Sequence, residues 1–325
     1  MEKKLKCTRE FFYSAKQVAP DVYEKKRELY FEMCEYAPNG DLEMMSHDCC
    51  ECSEASHVVH FKDGKPIDHR FRCEHDELGR IVTEIMATGN DYDQVTRYQY
   101  NDDGSRVERC FLSNNDQEIS RKEYDVQGNL VFASNEPNEY TGYCIHTESF
   151  YIYDENNRLV FEEGIDDYAR EYKVSYILDE SGKCVKILRV QVPESYYLEE
   201  EPAEFDEAIL EYEATEHIHN ANGTVDTNVY TCQATSVDEF FAGNYSKEIR
   251  ETYVAHLEEA IEGEHKIKTF KYYQNDQLKA IEVVTFGLDN DDAPLSCIRT
   301  DINDPDEYED IEECNITETF FEYWD

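Results

Sequence analysis

Polar and apolar residues alternate over several short stretches of the chain. Examples are Thr96-Arg97-Tyr98-Gln99-Tyr100, Glu148-Ser149-Phe150-Tyr151-Ile152-Tyr153 and Glu171-Tyr172-Lys173-Val174-Ser175-Tyr176-Ile177. A period of two, carried by Tyr, Val and Ile, predicts half-buried antiparallel strands. Between such stretches a seven-residue pattern recurs: an aromatic opener, a polar run, Gly, one polar residue and an aliphatic. It is seen in Tyr36–Leu42, His75–Ile81, Tyr124–Leu130, Tyr153–Leu159 and His219–Val225. Tyr100–Val107 and Leu178–Val185 carry one extra residue, and Tyr272–Leu278 is a weaker copy.

The fifth slot of these copies holds Gly40, Gly79, Gly104, Gly128, Asn157, Gly182, Gly223 and Asp276. Gly, Asn and Asp are the residues that tolerate left-handed backbone. A hairpin built on a type I turn needs that conformation where a bulge re-enters the strand. The Asp near the start of the turn (Asp76, Asp125, Asp154, Asp179) has a carboxylate that accepts backbone N–H groups. The aromatic and aliphatic ends then face each other across the strand pair. The copies are expected to be hairpins.

The openers at 75, 100, 124, 153 and 178 are separated by 25, 24, 29 and 25 residues. One strand pair per unit of that length is the mark of a repeat architecture. The expected fold is all-β, an antiparallel β-hairpin repeat meander. It would form an extended twisted sheet or a partly closed barrel, with at most one or two short helices. Tyr124-Asp125-Val126-Gln127-Gly128-Asn129-Leu130 and Tyr153-Asp154-Glu155-Asn156-Asn157-Arg158-Leu159 resemble the signature of the YD-repeat (Rhs-repeat) proteins. Asn157 departs at the glycine, and Tyr36-Ala37 and His75-Asp76 depart at the first pair. The resemblance runs over about residues 36–185. It implies the hairpin sheet geometry and, by association, a neighbourhood of toxins.

Beyond residue 190 the texture changes. Glu194–Glu216 holds ten acids and Asp301–Asp325 eleven, with no Lys or Arg in either. Aromatics remain regular there, which predicts strands with acidic outer faces. A soft boundary near 190 would divide a hairpin-repeat region (1–190) from an acidic β-rich continuation (191–325). Ser236-Val237-Asp238-Glu239 reads as a capping box opening a short helix. A second helix is expected over residues 21–36.

With 31 Lys and Arg against 74 Asp and Glu among 325 residues, the formal charge is −43. The 40 % hydrophobic content is enough for a folded core. Binding to nucleic-acid phosphates or to an anionic membrane surface is disfavoured, because both contacts need Lys or Arg. Charged residues interrupt the N-terminus where a signal peptide would be apolar, and no run approaches a membrane helix. The expected location is the cytoplasm, with the twelve cysteines mostly reduced thiols.

Residues 47–75 hold four cysteines and five histidines. Within them Cys49, Cys52, His57 and His60 have the short spacings of a tetrahedral zinc site. No cofactor is expected beyond structural zinc as the candidate occupant of this cluster. Phosphate-loop, dinucleotide, nucleophile-elbow and zinc-protease motifs are all missing from the sequence. The charge far exceeds what solubility needs. It points to a non-enzymatic module that binds a basic protein, in the manner of an immunity or antitoxin-like inhibitor. The expected binding residues are Tyr196, Tyr197, Glu199, Glu200, Glu201, Phe205, Tyr212, Phe321, Tyr323 and Trp324. The alternatives are a zinc-dependent hydrolase or nuclease centred on 47–75, a structural scaffold, and a nucleic-acid mimic.

Overall fold

The computed structural model describes residues 4–19, 22–38, 41–49, 57–62, 65–66, 71–87, 92–138, 145–168, 170–192, 210–288, 290–302 and 314–323. The chain is an antiparallel meander. Its first strands are β1 (Leu5–Ala19), β2 (Val22–Tyr36), β3 (Leu42–Cys49), β4 (His57–Lys62) and β5 (Lys65–Pro66). Then come β6 (Phe71–His75), β7 (Ile81–Ala87), β8 (Asp93–Tyr100), β9 (Arg106–Leu112), β10 (Gln117–Tyr124) and β11 (Leu130–Asn135). They are followed by β12 (Thr147–Tyr153), β13 (Leu159–Ile165), β14 (Glu171–Leu178), β15 (Cys184–Gln191), β16 (Glu211–His219) and β17 (Val225–Gln233). A short helix, α1 (Val237–Phe241), precedes β18 (Ser246–Glu262), β19 (His265–Gln274), β20 (Gln277–Gly287), β21 (Asn290–Ile302) and β22 (Cys314–Tyr323).

The repeated pattern forms the hairpin turns. Between β10 and β11, Asp125 N–H donates to Asn129 O at 3.0 Å and Gly128 N–H to Asp125 O at 3.1 Å. Gly128 has φ +88°, and the ladder shifts register at Glu123/Tyr124, which is the bulge. Gly79, Gly104, Asn157, Gly182 and Gly223 are left-handed at the same slot, and Gly40 lies outside the described residues. Asp154 shows why the aspartate is there. Its Oδ1 accepts from Asn156 N at 2.9 Å and Arg158 N at 3.0 Å, while Oδ2 takes Arg158 Nε at 2.7 Å. Asp166 closes the β13–β14 turn in the same way, accepting from Tyr168 N and Arg170 N at 2.9 Å. That turn lies outside the repeated pattern. The weak copy at 272–278 differs in kind: Asn275 and Asp276 are both left-handed (φ 49° and 64°), so β19 and β20 are joined by a tighter two-residue connection.

These carboxylates set a pH dependence. The Arg158 side chain and backbone N–H hold Asp154 below its ordinary value, and the Ser181 hydroxyl and Lys183 N–H do the same for Asp179. A depressed pKa contributes stability that is present above the ordinary carboxylate value of about 4 and lost as pH falls through the lower folded value. The difference in thermal midpoint between the protein and its Asp154→Asn, Asp179→Asn variant is therefore expected to be largest near neutrality. It should close toward zero in strong acid. A difference independent of pH contradicts this role.

Residues 21–36 are not helical. Val22–Tyr36 is strand β2, paired along its length with β1 (Phe11 opposite Phe31, Cys7 opposite Glu35) and with β3 (Cys34 opposite Met45). Two partner ladders and its aromatic residues hold this segment as a strand. The capping box forms α1: the Ser236 hydroxyl accepts from Glu239 N–H at 3.2 Å, and Val237 and Phe240 are buried.

Backbone contacts divide the chain into two compact units, 1–68 with 219–226 and 252–325, and 69–218 with 227–251. In the first, β22 pairs with β1 as well as β21, so the first and last strands lie side by side. Its small core joins Ala15 and Ile316 with Tyr13, Tyr23 and Ile298. In the second unit α1 covers the sheet at Leu188, Val190, Tyr212, Ala214 and Cys232. A smaller cluster is formed by Tyr92, Leu112 and Ile119. Strand β13 lies outside these clusters, and every one of its residues is only half-buried.

Candidate functional site

The residues expected to bind a partner fall into three groups. Tyr196, Tyr197, Glu199, Glu200, Glu201, Phe205 and Trp324 lie outside the described residues. Tyr212 is core: it is 8 % exposed, and its ring stands edge-on to Phe240 with centroids 5.0 Å apart. Phe321 and Tyr323 are half-buried on β22, and the Tyr323 hydroxyl donates to Pro294 O at 2.9 Å.

Strand geometry puts Phe320 and Phe321 on opposite faces. Phe320, which sequence reasoning passed over, is 41 % exposed. It meets Phe11 edge-on at 6.1 Å, and Phe11 packs on Phe31 at 4.8 Å. Three strands thus assemble an aromatic group from residues far apart in sequence, and acids border it. Glu318 stands opposite Phe11 in the ladder, while Glu322 and Glu35 flank Cys7 from either side. Lys25 Nζ lies 2.5 Å from Glu318 Oε1, and Arg9 Nη2 lies 2.7 Å from Glu322 Oε1. Both acids keep one oxygen beyond these contacts, and the Glu322 side chain is 44 % exposed.

Beside the aromatic group a cleft of about 250 Å³ is lined by Lys6, Cys7, Arg9, Glu35, Tyr36, Glu43 and Glu322. Burial pushes the Cys7 thiol and the Tyr36 phenol above their ordinary values. Both are neutral at pH 7, so the cleft works through hydrogen bonding, charge and apolar contact. This face is the candidate site. The alternation signal marked β22 as a strand with aromatics but could not say which face its neighbours β1 and β2 would share.

The Cys/His cluster is described only in part. Cys49 ends β3 and His57 begins β4, with His47 opposite His57 and Met44 opposite His60 in the ladder. Cys52 lies outside the described residues. Among the described residues no three His, Cys, Asp or Glu side chains converge as a metal site. Cys7, Cys34, Cys73, Cys110, Cys184, Cys232 and Cys297 are not in disulfides, and burial raises the Cys297 pKa to about 11. Among the described residues no helix is long and apolar enough to cross a membrane.

No family model matches the chain, and no curated protein matches it. One similar solved structure is a porin-like protein from Bacteroides uniformis, aligned over 99 % of both chains at 8 % identity and a TM-score of 0.23. A likeness that weak carries no inference about this chain, and the case for function rests on its own residues.

Proposed function

We propose that the chain is a non-enzymatic, acidic protein-binding module of the cytoplasm, acting as an immunity or antitoxin-like inhibitor of a basic protein. The observation that carries this reading is the Phe11–Phe31–Phe320 group, exposed at Phe320 and bordered by Glu35, Glu318 and Glu322, on a chain of charge −43. Long-range attraction from such a charge speeds capture of a cationic partner, and desolvated aromatic anchors then slow its release. The YD-like hairpins belong to the same proposal, since they place the chain by resemblance among toxin-associated repeats. The test is affinity capture from the source organism's lysate at low salt, followed by elution with rising salt. One basic protein that elutes with salt and is retained less well by Phe320→Ala supports the reading. Recovery of only acidic or salt-indifferent proteins overturns it.

Structural zinc on Cys49, Cys52, His57 and His60 is proposed alongside, supported by the β3–β4 ladder that sets Cys49 and His57 at adjoining strand ends. Purified protein is expected to carry one zinc per chain and to lose it in Cys52→Ser. Metal-free protein of unchanged stability contradicts the assignment.

A further inference from the structure

Arginine is scarce in this chain, yet three arginines stand shoulder to shoulder on the 69–218 unit. Arg97 on β8 is directly opposite Arg109 on β9, and Arg109 is directly opposite Arg121 on β10. Directly paired residues of an antiparallel ladder share a face, about 5 Å apart. The row continues with hydroxyls, Thr83 beyond Arg97 and Ser134 beyond Arg121. It ends in acids at Glu74 and Glu148. The five central positions therefore all offer donors: hydroxyl, three guanidiniums, hydroxyl. Val95, Phe111 and Glu118 flank the row on one side, Gln99, Val107, Glu123 and Phe132 on the other.

Like charges in direct cross-strand register repel. Two of the three arginines have a carboxylate. Arg97 Nη2 lies 2.9 Å from Asp116 Oδ1 and rests over the Phe111 ring, and Arg121 pairs with Glu123. Arg109, in the middle, has no ion pair among the described residues although the chain carries 74 acids. The Nε–H groups of Arg109 and Arg121, like that of Arg106 outside the row, are buried and meet no acceptor among the described residues. A buried donor without an acceptor is costly. The charge repulsion along the row is costly too, and an anion seated along it relieves that repulsion.

The geometry selects the anion. A planar carboxylate has two oxygens and is satisfied by one guanidinium fork. A tetrahedral oxyanion presents oxygens in several directions and accepts from two neighbouring forks together. We propose that the Arg97–Arg109–Arg121 ladder is a binding site for a condensed phosphate group, such as that of a di- or triphosphate, with Arg109 as its central ligand and Thr83 and Ser134 closing its ends. The acidic whole-molecule field opposes entry of long polyanions, so the ligand is a small molecule rather than a nucleic acid.

Titration calorimetry near neutral pH tests this with sodium triphosphate, pyrophosphate, orthophosphate and the tricarboxylate tricarballylate. Triphosphate is expected to bind about tenfold more tightly than orthophosphate, which spans fewer forks, and than tricarballylate, whose carboxylates each occupy a single fork and bridge none. Arg109→Lys keeps the charge but removes the fork, and should weaken triphosphate about tenfold. Arg250→Gln, whose arginine pairs with Glu213 elsewhere on the unit, should leave binding unchanged. A second readout needs no ligand. Arg109→Gln relieves the repulsion and should raise the thermal midpoint of the free protein, whereas loss of a merely structural arginine would lower it. Triphosphate that fails to bind at millimolar concentration, equal binding of tricarballylate, or indifference to Arg109→Lys overturns the proposal. A lowered midpoint in Arg109→Gln does so as well.

Discussion

Phe240→Ala is expected to cost the 69–218 unit about 3–5 kcal/mol, the range for emptying a phenylalanine site in a packed core. Phe240 is fully buried, and its ring touches Tyr212, Phe241 and Tyr245 at centroid distances of 5.0, 5.6 and 4.9 Å. The site cannot collapse easily: the sheet below it, at Leu188, Val190 and Ala214, is held by its own ladder, and α1 is only five residues long. Phe240→Leu keeps most of the volume and should cost about 1 kcal/mol. Urea unfolding followed by circular dichroism gives the totals. Hydrogen exchange should show the loss of protection concentrated in β15 and β16. A loss below about 1 kcal/mol for the alanine variant would mean that α1 does not seal this core.

Gly164→Ala is expected to be nearly as damaging, at roughly 3 kcal/mol, although it adds a single methyl group. Gly164 sits on β13 between Ser149 of β12 and Tyr172 of β14. The hydroxyls of Ser149 and Tyr172 approach to 2.8 Å across it. A Cβ at this position would stand 1.9 Å from the Glu148 carbonyl oxygen. That atom is backbone, so relief requires the β12–β13 ladder to shift rather than a side chain to turn. Gly223→Ala provides the contrast. It has open space around it and meets only the left-handed strain of φ +88°, worth about 1–2 kcal/mol. Equal destabilisation by the two substitutions would show that backbone conformation, not the close approach, makes Gly164 necessary.

The parts of this molecule that could be read from sequence are those decided locally. A left-handed position favours Gly, Asn or Asp, and in several of these turns an Asp stands four residues before the turn closes, so the hairpins at Gly79, Gly128 and Asn157 are visible in the sequence. The Asp166 turn uses the same carboxylate device but escaped notice because it stands outside the repeated pattern. What depends on partners was hidden. The helix expected over residues 21–36 is a strand because of the two strands that flank it. The aromatic run at the C-terminus was evident, but which face carries the site depends on β1, some three hundred residues upstream. Tyr212 looked like a surface anchor until α1 was seen to fold over it. Arg97, Arg109 and Arg121 are twelve residues apart, and that interval becomes a ladder only when both intervening turns are centred, one on Asp103 and one on Asn115.

The central claim is that charge brings a basic protein to the acidic, aromatic face and that the aromatic group holds it there. The most direct test is the association rate of the captured partner, measured by stopped-flow mixing over a range of salt concentrations. The account predicts a fall of about a hundredfold from low to high salt, with Phe320→Ala speeding dissociation and leaving association unchanged. An association rate that does not move with salt would contradict it.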